Sequence, residues 1–165
     1  MTEESINVRY EWYAMHRSKI EIMDELEKEK IAWGAFSRNI KDNSFVYVGK
    51  EMCLLAPMYF LTFNKNNHIK YLLSVLNSKF YKVFSNWYFP RLSDNSNIVR
   101  TVYLEQIPIP IPATKVEAQL EKLVDEILHL KALGKRTEIL ELQIDEIVYE
   151  MYDLNDEEIR YICKS

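Results

Sequence analysis

IPIPIP, residues 107–112, decides how this chain is divided. Proline has no backbone N–H to donate, so alternating prolines exclude a central strand and favour a stiff, extended connector. Everything on its C-terminal side is helical in pattern. Leu120, Leu123, Val124, Ile127 and Leu130 form one apolar stripe, and Leu140, Ile144, Ile147, Val148 and Met151 form a second. Gly134 and a short GKR link separate them, which predicts an antiparallel helical hairpin. Thr114 with Glu117 has the spacing of a capping box, and Asn155 with Glu158 predicts another that opens a short last helix.

The N-terminal side is mixed. IVRTVY (98–103) is a strand candidate by its β-branched content, and RLSDNSN (91–97) is polar and turn-rich, predicting a surface loop. From Asn67 to about Tyr88, Ile69, Leu72, Leu73, Leu76 and Phe80 recur at helical spacing, and Phe89-Pro90 ends that pattern. Asn77, Ser78 and Lys79 within it have the chemistry to cap or orient a helix end. KIAWGAF (30–36), SFVYVG (44–49) and MCLLAPMYFLTF (52–63) predict strands, with Pro57 placing the third at an edge or a bulge. Residues 18–28 (SKIEIMDELEK) have helical spacing. The expectation is an α+β domain over residues 1–112 followed by an antiparallel helical hairpin and spacer over residues 113–165.

Composition narrows the class. The chain has 165 residues, 48% of them apolar, which excludes a disordered chain. No apolar run approaches the ~20 residues that span a bilayer. MTEESINVRY at the start lacks the basic and apolar regions of a signal peptide, and Cys53 and Cys163 make no disulfide framework, so a cytoplasmic protein is expected.

The formal charge of −4 argues against a polyanionic partner only when taken whole. Residues 31–104 carry nine basic residues (Arg38, Lys41, Lys50, Lys65, Lys70, Lys79, Lys82, Arg91, Arg100) against Asp42, Glu51 and Asp94, a net of +6. Residues 113–165 carry seven basic and thirteen acidic residues, a net of −6. Charges farther apart than a Debye length of ~8 Å are largely screened, so a partner feels each piece separately.

Catalytic chemistry is missing from the pattern. His16, His68 and His129 are scattered, with no zinc-ligand spacing. No Gly-x-Ser-x-Gly elbow occurs, and no lysine has an acid two positions before it, as a common metal-dependent nuclease motif needs. Gly34, Gly49 and Gly134 are too far apart to form a phosphate-cradling loop. The expectation is a chain that is non-catalytic on its own.

The order of segments carries a resemblance: WYAMHR (12–17), KIAWGAFSRN (30–39), IKYLLSVLNSKF (69–80), LEQIPIP (104–110), LVDEILHLK (123–131) and QIDEIVYEMYDLNDEEI (143–159). Together they resemble the TaqI-like C-terminal specificity domain of bacterial restriction-modification enzymes, akin to the specificity subunits of type I systems. The resemblance implies a target-recognition domain that binds double-stranded DNA. It also implies a partner, an adenine-specific methyltransferase domain in cis or as a separate subunit. The S-adenosylmethionine site and Asn-Pro-Pro-Tyr/Phe motif belong there, so no cofactor is expected in this chain, which looks like a fragment or a separately encoded piece. An endonuclease domain in the parent and a helix-mediated dimer are further options.

On this reading Lys and Arg neutralise phosphates, while Arg, Lys, Asn and Gln on loops read base edges. The first readout candidate is residues 91–100, offering Arg91, Asn95, Asn97 and Arg100. The second is residues 38–50, offering Arg38, Lys41, Asn43 and Lys50, with Lys79 and Lys82 added for phosphate. The competing expectation is a helical protein-interaction or oligomerisation module with no DNA binding of its own.

Overall fold

A computed structural model describes residues 24–36, 45–50, 52, 54, 57–63, 68–94 and 96–165. Of the helix expected over residues 18–28, only the end falls among these, and residues 24–26 are helical.

Strand β1 (Lys30–Gly34) lies between β2 (Val46–Val48) and β3 (Met58–Leu61) in an antiparallel sheet of order β2-β1-β3. Its first four residues are buried, as suits a strand paired on both edges, and Ala32 pairs with Val46 on one side and Phe60 on the other. Pro57 sits just before β3, at the sheet edge expected of it. Its carbonyl accepts from the Ala35 N–H (3.1 Å).

The single helix expected from Asn67 to Tyr88 is two, α1 (Ile69–Asn77) and α2 (Lys79–Tyr88). Ser78 separates them in an extended conformation (ψ 155°); its hydroxyl accepts from the Tyr81 N–H and donates to the Val75 carbonyl. Asn77 pairs with both backbone groups of Phe45, and the Lys79 N–H donates to the Asp145 carboxylate (2.7 Å). Asn77 and Ser78 thus give the backbone an alternative to continuing the helix, and an apolar periodicity cannot show this. Phe89 ends α2 as expected before Pro90.

Two further expectations are corrected. Residues 91–97 are not an irregular loop but a two-stranded antiparallel ribbon, β4 (Arg91–Ser93) and β5 (Ser96–Asn97). Residues 98–103 are not a strand. Ile98 makes a single bridge with Phe36, and α3 (Thr101–Leu104) follows. β-Propensity reflects a fit to a half-buried pleated surface, and Thr101 and Val102 are exposed.

The connector is extended and fastened through its carbonyls, the only hydrogen-bonding groups that proline retains. The Tyr71 hydroxyl donates to the Pro110 carbonyl (2.5 Å) and the Tyr152 hydroxyl to that of Pro108 (2.9 Å). Beyond it, α4 (Thr114–Ala132) and α5 (Glu138–Met151) form the expected hairpin. Gly134 (φ +66°) closes α4 in a Schellman motif, with N–H bonds from Gly134 to Lys131 and from Lys135 to Leu130. The last helix, α6 (Asp156–Lys164), opens on the Asn155–Glu158 capping box. The box expected at Thr114 and Glu117 does not form. Ala113 is the N-cap, and the Glu117 carboxylate is taken by the His68 imidazole in front of α1.

One core runs through both halves. Ile31, Trp33, Phe45, Ile69, Val75, Leu76 and Tyr81 belong to the same buried cluster as Leu120, Val124, Ile127, Ile144 and Val148. Val83, Tyr149 and Ile162 form a smaller cluster where α2, α5 and α6 meet.

Buried tyrosines tie this packing to pH. Burial, aided by nearby acids or a second tyrosine, pushes Tyr47, Tyr71 and Tyr152 up to about 12, and burial also raises Tyr81 and Tyr149. An unfolded tyrosine ionises near ~10. A raised folded value leaves stability intact below that pH and removes it as pH climbs toward about 12. Far-UV circular dichroism followed from pH 8 to 12 should therefore show cooperative loss of structure beginning above pH ~10. A fold unchanged up to pH ~12 would contradict this account.

Candidate nucleic-acid interface

The basic residues of 31–104 divide by what surrounds them. Arg38, Lys41, Asn43, Lys65 and Asn95 lie outside the described residues. Lys70 pairs with Asp125 on α4 (2.6 Å). The Lys79 ammonium donates to the Cys163 carbonyl at the end of α6 (3.1 Å). Burial pushes the Asp145 carboxyl up, against the opposing bond from the Lys79 N–H and the charges of Lys82 and Lys79. At Glu141 burial also pushes upward, but bonds from Lys131 and Thr137, with the charges of Lys131 and Lys82, hold the group below the usual carboxylate range. Lys70, Lys79 and Lys82 therefore face the acidic helices. Part of the contrast between +6 and −6 is closed inside the molecule.

Lys50, Arg91 and Arg100 remain exposed. They are not brought to one place. Lys30 at the start of β1 pairs with Val48, two residues before Lys50. Past the other end of β1, Phe36 bridges Ile98 and the Ala35 carbonyl accepts from the Val99 N–H (3.0 Å). Lys50 is thus separated from the 91–100 segment by the length of β1, about 13 Å at ~3.3 Å per residue.

The 91–100 segment has a fixed base and a bare tip. The Ile98 N–H closes on the Pro90 carbonyl (2.8 Å), and the Trp33 indole N–H donates to the Val99 carbonyl (3.0 Å). Asn97, offered by the sequence as a base reader, is fully buried, and its amide donates to the Asn86 side-chain oxygen (3.3 Å). In this fold it anchors the ribbon, because a side chain with no exposed surface cannot reach a base. All three residues of β4 are exposed, as are Asp94 and Arg100. An isolated hairpin is at best marginally stable in water, so this anchoring is what holds the exposed strand in place.

Sequence reasoning missed two residues here. Leu92 is 56% exposed on β4, yet an apolar residue inside a polar turn-like stretch carries no periodic signal. Lys30 is fully buried, its ammonium donating to the carbonyls of Gly49 and Met52 (both 3.1 Å). Nothing local marks that lysine as different from its neighbours. Among the described residues no group of His, Cys, Asp and Glu is placed to hold a metal ion, and no helix is long and apolar enough to cross a membrane.

A sequence model of the TaqI-like C-terminal specificity domain matches residues 2–109, about two thirds of the chain. The chain belongs to this family. A search of curated proteins returns no match. Membership of the specificity-domain family implies a DNA target-recognition role in a restriction-modification enzyme. The matched region of this specificity domain ends inside the connector, so α4, α5 and α6 lie beyond it; α4 and α5 supply part of its core, and α6 packs in the smaller cluster with Val83.

Proposed function

We propose that this specificity domain binds duplex DNA and supplies target selection to an adenine-specific methyltransferase, with or without a fused endonuclease. The observation that carries the reading is the anchored ribbon, with Arg91 and Arg100 exposed on a rigid base in a domain of this family. Those guanidiniums take phosphate and release counterions; Arg38, Lys41, Asn43 and Lys50 are the second set of candidate contacts, on residue type. S-adenosylmethionine and the transferred methyl group belong to another domain, into which the target adenine is flipped. In this division residues 1–112 read and residues 113–165 space. The acidic outer faces of α4 and α5 meet protein, namely the methyltransferase domain or a second copy.

The test is binding of the chain to duplex DNA as salt is raised. Each phosphate contact contributes roughly −0.9 to the slope of log affinity against log salt. Arg91→Ala and Arg100→Ala should each flatten that slope by about 1. Absence of binding at low salt removes the claim for this chain. Salt-independent self-association in its place favours an interaction module, for which Leu133, Ile139 and Leu142, exposed about the hairpin turn, offer the surface.

A further inference from the structure

The ribbon has a defect with a direction. Arg91 pairs with Asn97 and Ser93 with Ser96, so two steps along β4 match one along β5 and Leu92 is the extra residue. A bulge of this kind leaves its residue without a cross-strand partner and re-aims the side chain. The re-aimed side chain is an exposed leucine, between an exposed arginine and an exposed serine.

The dimensions select a groove. From Arg91 to Ser93 β4 spans about 7 Å at ~3.3 Å per residue, within the ~8.5 Å depth of the B-DNA major groove. Two strands ~4.8 Å apart, with side chains on either side, fit a groove ~12 Å wide and not one ~6 Å wide. Arg91 and Arg100 flank the element with charge suited to phosphate. Asp94, exposed at the turn, is repelled by phosphate but can accept from a cytosine amine at a base edge. At those edges the only apolar group is the 5-methyl of thymine.

From this geometry we infer that the β4–β5 ribbon enters the major groove and that Leu92 is a specificity-determining residue that packs on a thymine methyl. The inference rests on the DNA-binding reading above. Its test uses the full chain to select preferred sites from a randomised duplex pool, after which each thymine of the selected site is replaced in turn by uracil, which lacks only that methyl. At one position uracil should weaken binding roughly fourfold, the worth of one buried methyl group. Leu92→Ala should bind thymine and uracil sites alike while keeping the wild-type salt slope. Three results overturn the inference: a selected site without thymine, equal affinity for uracil at every position, or a Leu92→Ala chain that still distinguishes the two. Failure of the DNA-binding reading itself shows earlier and separately, as no binding of ordinary thymine-containing duplex at low salt, and overturns both.

Discussion

A chain ending at residue 112 is expected not to fold. Residues 113–165 carry Leu120, Val124, Ile127, Ile144 and Val148 into the core built on β1 and α1, and each of the five is at most 9% exposed. Burial of an aliphatic side chain stabilises by roughly 1.5–3 kcal/mol, so their loss removes on the order of 10 kcal/mol. Domains of this size have ~5–15 kcal/mol in total. Removing the helices also uncovers the face of α1 that packs on α4 and strips Lys70 and the Lys79 backbone of their acidic partners. The truncated chain should therefore lack a cooperative thermal transition and disperse poorly in NMR. A single substitution gives a graded version, since Leu120→Ala, at a fully buried position, should cost about 2–5 kcal/mol in urea denaturation. A cooperative melt of residues 1–112 near that of the whole chain would refute the shared core.

Lys30→Met should destabilise the fold by about 2 kcal/mol. Methionine keeps the length of the apolar stem but donates nothing, and the carbonyls of Gly49 and Met52 lose a charged donor 3.1 Å away. Both acceptors are only partly buried, so each left unsatisfied costs toward the low end of ~1–3 kcal/mol, while removing the buried charge returns part of this. The effect should be uneven: the turn after β2, which carries Lys50, loses its tie to β1, so protection against hydrogen exchange should fall there first. A urea midpoint equal to wild type, with unchanged exchange at residues 49–52, would show that the ammonium bonds contribute nothing net.

Local pattern made much of the fold legible. KIAWG, VYV and MYFL read as strands from their apolar and β-branched content. The stripes on α4 and α5, the glycine between them and the Asn155–Glu158 cap depend on neighbours within a few residues. What stayed illegible was settled across the molecule. The break at Ser78 gains its support from Phe45 and Asp145, and Glu117 leaves the expected cap because His68 lies 49 positions away in sequence but beside it in space. The 91–97 segment became a ribbon because Asn86, Pro90 and Ala35 hold its base.

The candidate site divides the same way. Residue type pointed to cations in the 31–104 segment, yet type alone could not say that Lys70, Lys79 and Lys82 face the acidic helices while Arg91 and Arg100 face solvent. Nor could it withdraw Asn97 into the interior or turn Leu92 outward. Sequence alone was enough for most helices and for the central three strands, for the family and for the sign of charge on each piece, because these depend on composition and on contacts a few residues apart. Only the tertiary structure decided which charges are neutralised within the molecule and which side chain the ribbon presents. Coulomb pairing and burial depend on distance in space, and chain order does not encode that distance.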